Sequence, residues 1–347
     1  MKSRGITIKD IARALGLANS TVSRALKDSH DISIAMRQKV QEYARQHQYR
    51  PNLQAQALRN QKSRCIGVVL CNIPNHFFAE VLNGIESIAC QRNYSVIITQ
   101  SLESYEQEIR NLDNLAWRSV DGLLVSIATE TKDTSHFKKL QEQGMPIVFF
   151  DRVTDDLHTH QVIADNEGGV LAATLHFIEQ GCQRIAHITS SPYASITRTR
   201  LDGHLSALQK AGLPAPECYI KYCLHGGMVQ EEVTQALEEL FALPQPPDAL
   251  LAASDRLTLH CFAWLQKKGL AIPQDIALAG FSNFTEAGLF APGLTTIEQP
   301  AFEMGQTAIE LLINQIESKR PPTSFSKVVL PTALRIRASS CRSLAEK

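Results

Sequence analysis

Residues 6–26, ITIKDIARALGLANSTVSRAL, decide the fold of the N-terminal part of this chain. Apolar side chains recur at the i, i+3, i+4 and i+7 spacing of one helix face, at Ile8, Ile11, Ala12 and Leu15. Thr7 stands at an N-cap position with Asp10 three residues later, and Gly16 is of the type that ends helices. A second helix begins near Asn19 and turns inward Val22, Ala25 and Leu26. Two short helices with three residues between them are typical of a helix-turn-helix.

The second predicted helix also carries a polar face. Its members are Asn19, Ser20, Ser23 and Arg24. Side chains of these types bond to base edges or phosphates, and arginine pairs with guanine through two hydrogen bonds. The alternative is a small three-helix bundle with a hydrated face. Ser33 is placed to cap a third helix.

Charge is distributed unevenly along a chain whose formal net charge is zero. Residues 1–64 contain thirteen Lys and Arg against four Asp and Glu, a net of +9, which leaves −9 for the remainder. A basic head on an acidic body favours contact between the head and a polyanion. A solvated basic face without a partner is the alternative, but charge and polar helix face together predict DNA binding.

After residue 64, apolar runs of strand length alternate with amphipathic stretches. The runs are residues 65–71, 95–99, 122–127, 147–150, 185–188, 249–253 and 276–281, and the stretches include 77–92, 106–117, 136–143 and 170–180. Continuous apolar strands spaced by helices predict parallel sheets covered on both faces. Because about 280 residues are too many for one open sheet, we expect two α/β subdomains.

Composition and motifs exclude several classes of protein. With 44% hydrophobic and 20% charged residues the chain is of ordinary globular composition, and no apolar run approaches the roughly 18 residues of a membrane span. The N-terminus lacks a secretion signal and the eight cysteines form no CxxC pair, so we expect reduced thiols and a cytoplasmic location. No phosphate loop, dinucleotide fingerprint or nucleophile elbow occurs, and His158 and His160 are too few for a metal site. We therefore expect neither catalysis nor a cofactor.

The chain resembles the lactose-repressor (LacI/GalR) family of transcription regulators through motifs that occur in order along nearly its whole length. They are TIKDIA, STVSRAL, RPN, the A-x-x-L before IGVV, and then VDGLLV, PIVFFDR, ADNEGG, RIAHI, RLDGH, PDALLAASD, IPQDIALAGFSN and LTTIEQP. The resemblance implies an N-terminal all-α helix-turn-helix head and a periplasmic-binding-protein-like body of two doubly wound α/β subdomains.

The resemblance also implies domain boundaries. The head would occupy residues 1–50, a hinge helix and linker residues 51–64, and an effector-binding and dimerisation body residues 65–347. Within the body, residues 65–163 and 293–324 would form one subdomain, and residues 164–292 and 325–347 the other.

The side chains that would meet DNA follow from the same resemblance. The implied base readers are Asn19, Ser20 and Arg24, and the implied phosphate contacts are Thr7, Lys9, Ser23 and Asn52. Leu58, in a hinge helix at residues 52–60, would enter the minor groove and kink a base step, the alternative being a core leucine of the linker. One departure is Ala18, which replaces the usual Ser or Thr before the reading helix and removes a side-chain cap. If Asn19 supplied the cap instead, the start of the helix would shift and Asn19 would not be a base reader.

In the body, the resemblance implies a small-molecule effector held between two lobes. The implied contacts are Phe78, Ser126, Asp151, Arg200 and Asp255. Carboxylates and a guanidinium at strand ends suit a ligand with adjacent hydroxyls or a polar ring. The alternative for Phe78 is a core position, and for any one of the others a solvated position or a salt bridge between lobes. Ser282 stands where many relatives carry an acidic residue, so the effector of a relative cannot be transferred to this chain.

The expected function is that of a sequence-specific DNA-binding transcription regulator, a repressor controlled by a small effector such as a sugar or sugar derivative. Because one small head reads too few bases for useful specificity, we expect a homodimer on a near-palindromic operator. The alternatives are a small-ligand-binding protein for transport and a small α/β enzyme that acts on a sugar or nucleoside. The basic head argues against the first, and the lack of catalytic motifs against the second.

Overall fold

The structure is a computed structural model that describes residues 6–49, 62–320, 322 and 324–342. The chain divides into two units, Met1–Ser63 and Arg64–Lys347, which we call the head and the body.

The described part of the head contains three helices, α1 (Ile8–Leu15), α2 (Asn19–Ala25) and α3 (Ile34–Gln46). Gly16 ends α1 with a φ of 66°, in the left-handed region that glycine adopts readily. The apolar faces of the helices meet in one small core that comprises Ile11, Ala12, Val22, Ala25, Ile32, Val40 and Ala44. The predicted helix-turn-helix is confirmed.

The first subdomain of the body is a parallel sheet with helices on both faces. Its strands are β1 (Cys65–Leu70), β2 (Ser95–Gln100), β3 (Gly122–Val125), β4 (Ile147–Phe150), β5 (His160–Ala164) and β11 (Lys327–Leu330). They lie in the order β11-β5-β4-β3-β1-β2, and every pairing is parallel. The helices are α4 (His76–Gln91), α5 (Tyr105–Trp117), α6 (Ser135–Glu142) and α11 (Ala301–Glu317).

The second subdomain repeats this architecture. Its strands are β6 (Ile185–Thr189), β7 (Ile220–Tyr222), β8 (Ala249–Ala252), β9 (Ala277–Phe281), β10 (Thr295–Glu298) and β12 (Ala333–Arg335). They lie in the order β12-β10-β9-β8-β6-β7, with only the β10–β12 pair antiparallel in this described sheet. The helices are α7 (Asn166–Glu179), α8 (Ser195–Lys210), α9 (Gln230–Phe241) and α10 (Asp255–Lys267). The predicted pair of doubly wound subdomains is confirmed.

Two of the points at which the chain passes from one subdomain to the other differ from the predicted boundaries. β10 pairs with β9 in the second sheet, whereas residues 293–324 were expected in the first subdomain. β11 pairs with β5 in the first sheet, whereas residues 325–347 were expected in the second subdomain. The crossings therefore follow β10 and β11, and both predicted positions are wrong by a few residues. Each of these strands has four residues, too few to reveal from sequence which sheet it joins.

Helix α11 belongs to the first subdomain, where it packs closely against α4. A Cβ atom at Gly84 would clash with the carbonyl of Phe302, and one at Gly305 would clash with the carbonyl of Val81. Only glycine permits this approach of two helix backbones.

Candidate DNA-binding surface and ligand cleft

Thr7 begins α1 through a capping box. Its hydroxyl accepts a hydrogen bond from the Asp10 amide at 3.3 Å, and the Asp10 carboxylate accepts one from the Thr7 amide at 3.0 Å. These bonds satisfy amides that the first helical turn leaves without partners. The predicted phosphate contact Thr7 therefore has a structural role as well. Lys9 is exposed in the first turn of the same helix.

Helix α2 starts at Asn19, and Ala18 provides no side-chain cap. Asn19 does not take over that cap, so the helix start is not displaced. The polar face predicted for this helix is present, with Asn19, Ser20 and Arg24 exposed and Ser23 half-buried. Arg24 Nε donates to the Ser20 carbonyl at 3.4 Å, which holds the guanidinium near this face. The remaining predicted DNA contacts, Asn52 and Leu58, lie outside the described residues.

In the body, a cavity of about 530 Å³ opens between the two subdomains. The first subdomain contributes Asp151, Arg152 and Lys132 to its lining, and the second contributes Asn166 and Thr199, among others. Its size is that of a small-molecule site, and Asp151 places it at the carboxyl end of β4, where parallel sheets bind ligands. We call this cavity the cleft.

Asp151 follows β4 and lines the cleft with its backbone in the left-handed region, at a φ of 60°. Such a conformation is costly for a residue other than glycine and is found preferentially at functional sites. Asp151 Oδ2 accepts from Ser126 Oγ at 3.3 Å, whereas Oδ1 has no hydrogen-bond partner among the described residues. Burial raises the pKa of Asp151, although the guanidinium groups of Arg152 and Arg200 oppose the rise. Ser126 is fully buried and supports Asp151 from behind.

Arg200 is buried behind the wall of the cleft, with 4% of its surface exposed. Its Nε donates to Asn166 Oδ1 at 2.8 Å, its Nη1 donates to the Ala253 carbonyl at 2.5 Å, and its guanidinium lies 3.6 Å from the centre of the Phe281 ring. Burial lowers the pKa of Arg200 to about 10, so the side chain is still a cation at neutral pH. In this structure Arg200 therefore positions Asn166, which does line the cleft.

Asp255 begins α10 and is also buried. Its Oδ1 accepts from Ser282 Oγ at 2.6 Å and from the Asn283 amide at 3.1 Å. Burial raises the pKa of Asp255, although these hydrogen bonds and Arg200 oppose the rise. Ser282, the residue that departs from the pattern of many relatives, thus supports the Asp255 carboxylate.

The expectation that Phe78 stacks on a ligand ring is not supported. Phe78 is 3% exposed, belongs to the hydrophobic core of the first subdomain and packs edge-to-face on Phe77. Helix α4 buries both aromatic side chains in its first turn, which corresponds to the core alternative. Of the five predicted effector contacts, Asp151 lines the cleft directly, and Ser126, Arg200 and Asp255 are buried groups linked to it by hydrogen bonds or charge.

Sequence reasoning missed a buried ion pair at the cleft. Arg152 Nη1 lies 2.5 Å from Glu103 Oε2 and 2.8 Å from Thr129 Oγ1. Arg152 directly follows Asp151 in the motif PIVFFDR, so its position was a usable signal. Nothing in the sequence pattern pointed to Glu103, which lies 49 residues earlier.

Two contacts join the subdomains beside the cleft. The Val153 amide donates to Ser195 Oγ at 3.2 Å, and Lys132 Nζ lies 4.0 Å from the centre of the Tyr193 ring. Val153 lies in the loop after β4 and Lys132 in the loop after β3, and both of their partners lie at or just before the start of α8 in the second subdomain. A change in the spacing of the lobes would break them.

A second cavity of about 530 Å³ lies elsewhere in the body, where Glu80, Asn283 and Phe302 contribute to its lining, and it contains none of the predicted residues.

His160 accepts a hydrogen bond from the Ser326 amide at 3.0 Å. In the described ranges no group of three or more metal-ligating side chains occurs, and no helix is long and apolar enough to cross a membrane. All eight cysteines are free thiols.

Comparison with known families assigns both parts of the chain. Residues 7–52 match the model of bacterial regulatory proteins of the lacI family, and residues 174–340 match a periplasmic binding protein-like domain. The first match covers the helix-turn-helix. The second covers most of the second subdomain and also α11 and β11 of the first subdomain.

Similar proteins match 90% or more of the chain. The transcriptional repressor CytR of Escherichia coli is 31% identical over 315 residues, 90% of each chain. Catabolite control protein A of Priestia megaterium is 28% identical over 336 residues, 96% of this chain and 99% of that protein.

Among solved structures, the transcriptional regulator CelR in complex with cellobiose is 27% identical, with a TM-score of 0.71 over 96% of this chain and 99% of CelR. The lac repressor dimer bound to operator and an anti-inducer shares the fold, with a TM-score of 0.83 at 24% identity over 98% and 100% of the two chains. The chain belongs to the lacI family of bacterial regulatory proteins, which are DNA-binding regulators of transcription.

Proposed function

We propose that the chain represses transcription as a homodimer on a near-palindromic operator and that a sugar or sugar derivative bound in the cleft changes its affinity for DNA. The observation that supports the effector part of this proposal is the cleft itself. Both subdomains line it, and it contains the acceptor Asp151 Oδ1, which has no hydrogen-bond partner in the described part of the chain. No comparable observation favours catalysis.

On the DNA side, we assign base reading to Asn19, Ser20 and Arg24, and phosphate contact to Thr7, Lys9, Ser23 and Asn52. Leu58 would be the apolar wedge in the minor groove. The exposure of Asn19, Ser20 and Arg24 on one face of α2, opposite buried Val22 and Ala25, supports the first assignment.

Two substitutions in the head distinguish base reading from phosphate contact. Arg24→Ala should reduce discrimination between operator and mutated operators by about 1–3 kcal/mol, the range for one bidentate base contact. Lys9→Ala should weaken binding to all sequences alike and flatten its salt dependence. Fluorescence anisotropy at several salt concentrations measures both quantities. If Arg24→Ala weakened all sequences equally, Arg24 would be a phosphate contact.

A homodimer places two heads on one operator, as specific recognition by small helix-turn-helix units requires. We expect a dimer in sedimentation equilibrium at micromolar concentration. A monomer or a tetramer would contradict this proposal.

The chemistry of the cleft supports a ligand with hydroxyl groups. A hydroxyl donates to a free carboxylate oxygen such as Asp151 Oδ1 and accepts from an amide or guanidinium. A ligand that contacts both lobes shifts the lobe equilibrium by its difference in affinity for the two states. The coupling to DNA should be about 1–3 kcal/mol and reciprocal.

The decisive test measures operator binding with and without ligand for wild type and Asp151→Asn. An operator selected from random DNA serves as the target, and glucose, cellobiose, ribose and cytidine serve as ligands. We expect one of them to change wild-type affinity about tenfold, within the coupling range above. Asp151→Asn should respond less than twofold, because the amide removes the free carboxylate oxygen, and should bind DNA normally without ligand.

Asp113→Asn is the matched control, because Asp113 is exposed on α5 and does not line the cleft. It should respond to the ligand like the wild type. If no ligand in the set changed operator binding, or if Asp151→Asn responded fully, the proposed effector site would be wrong.

A further inference from the structure

Five charged groups surround the inner end of the cleft and act on one another. The cations are Arg152 and Arg200, and the anions are Glu103, Asp151 and Asp255. All five are largely buried, so water screens them far less than it screens surface charges. The cluster carries a net charge of −1, and we call it the floor of the cleft.

Both cations of the floor are already engaged. Arg152 Nη1 bonds to Glu103 and Thr129, and Arg200 uses Nε and Nη1 for Asn166 and the Ala253 carbonyl. Capture of a phosphate or carboxylate usually requires two parallel donors of one guanidinium. Neither arginine opens a complete fork to the cleft, because two nitrogens of Arg200 are engaged and the Nε atom of the remaining Nε–Nη2 edge of Arg152 is buried.

Single donors and acceptors do remain at the floor. Arg152 Nε is buried without a hydrogen-bond partner, and Asp151 Oδ1 has none among the described residues. These two atoms belong to consecutive residues, one a donor only and the other an acceptor only. Asp151 Oδ1 can accept a hydrogen bond from a ligand hydroxyl, whereas a phosphate or carboxylate oxygen offers it no proton; the buried Arg152 Nε is not accessible to a ligand.

Glu103 is held in place by a strained turn. Both Leu102 and Glu103 have positive φ values, 52° and 67°, a backbone conformation that is unfavourable for residues other than glycine. The Thr129 amide and hydroxyl donate to Glu103 Oε2 at 3.0 and 2.8 Å. Although burial alone would raise the pKa of Glu103, Arg152 and Thr129 bring it below the ordinary value. The carboxylate is therefore ionised beside Arg152 at neutral pH.

The cations at the mouth of the cleft differ from those of the floor. Lys132 and Arg198 are exposed, and Lys327 is paired with Asp155 at 3.3 Å. Charges in contact with water are screened and contribute little to selection. The floor therefore decides which charge a ligand can carry.

We infer that the cleft selects an uncharged ligand with hydroxyl groups over its phosphorylated or carboxylated derivatives, and that Glu103 sets this selection by neutralising Arg152. This inference rests on the proposed effector site. Glu103 is a positioning residue, since it acts through Arg152 and does not itself line the cleft.

Inorganic phosphate, used as a probe in thermal unfolding of the full chain, tests the charge of the floor without knowledge of the effector. Ionic strength is held constant with chloride. Wild type should show no shift in Tm at millimolar phosphate. Glu103→Gln should bind phosphate about tenfold more tightly, the effect of one unit charge across about 10 Å at an effective dielectric of about 20.

Glu106→Gln is the control, because Glu106 lies three residues after Glu103 in the first turn of α5, is exposed and pairs only with Arg110 among the described residues. It should behave like the wild type. If wild type and Glu103→Gln responded to phosphate alike, whether both bound it or neither did, the inference would be overturned.

Matched ligand pairs provide a second measurement, which also decides the question if Glu103→Gln does not fold. Glucose is compared with glucose 6-phosphate and glucuronate, and cytidine with its 5′-monophosphate, which separates a free sugar from a nucleoside. In any of these pairs that binds, the neutral ligand should bind the wild type at least about tenfold more tightly than the charged ligand, as the same charge argument requires. A charged member that bound as tightly would overturn the inference. Failure of every ligand to alter operator binding would refute the proposed function but would leave the phosphate result valid.

Discussion

Replacement of Arg200 by alanine should lower the free energy of unfolding of the body by about 3–5 kcal/mol, the range for breaking a buried charge network. The substitution leaves Asn166 Oδ1 and the Ala253 carbonyl without their donors and removes the cation between Asp151 and Asp255. The same change should abolish the response to the effector, because Asn166 loses the bond that orients it. Urea unfolding followed by tryptophan fluorescence measures the stability, since both tryptophans lie in the body.

Arg198→Ala is the matched control, two residues earlier on α8. Arg198 is exposed and forms no ion pair in the described part of the chain, so its loss should change stability by less than about 0.5 kcal/mol. Arg200→Lys should keep the charge but lose one of the two directed bonds and fall between these variants. If Arg200→Ala unfolded at the same urea concentration as wild type, the network would carry no net stability.

The head could be predicted almost completely from sequence because its determinants are local. Thr7 and Asp10 cap α1, Gly16 ends it, and the apolar residues of the first two helices recur at helical spacing. Each signal lies within one turn of the element that it specifies. The missing cap at Ala18 was predictable for the same reason.

The body was predictable in its class but not in its crossings. Strands such as β3 and β4 are buried at every residue, and such runs are recognisable as strands of a covered parallel sheet. β11 alternates exposed and half-buried residues at a sheet edge, so its composition does not reveal its partner. Pairing of β11 with β5 joins residues more than 160 apart, a distance at which no local pattern carries information.

The site was predictable only where family motifs and strand ends coincide. Asp151 directly follows β4, and the structure places it in the cleft. Glu103 acts on Arg152 through a turn at the end of a different strand, and tertiary packing alone brings them together. Phe78 illustrates the opposite error, because an aromatic side chain near a cleft is as readily a core residue.

Acid should destabilise the body through two histidines buried below Arg200. The rings of His187 and His204 stack at a centre-to-centre distance of 5.2 Å, and neither nitrogen of His187 has a hydrogen-bond partner within the described ranges. Burial lowers the pKa of His187 far below the ordinary value and that of His204 to about 4. The unfolded chain takes up these protons near pH 6.5, whereas the folded chain does not. Their contribution to stability is therefore complete above pH 6.5 and is lost as pH falls from there towards 4.

For His204 alone the loss between pH 6.5 and 4 should reach about 3 kcal/mol, at 1.36 kcal/mol per pKa unit. His204→Gln should thus differ from wild type less at pH 4.5 than at pH 7.5, because the variant has no imidazole to protonate on unfolding. Asp151 and Asp255 have raised pKa values and oppose the trend, but they are present in both proteins and cancel in the comparison. His158→Gln, at an exposed position, should parallel the wild type throughout. Urea unfolding across this pH range provides the measurement. If the free energies of unfolding of wild type and His204→Gln differed by the same amount at every pH, His204 would take up its proton equally in the folded and unfolded states, which would contradict the prediction.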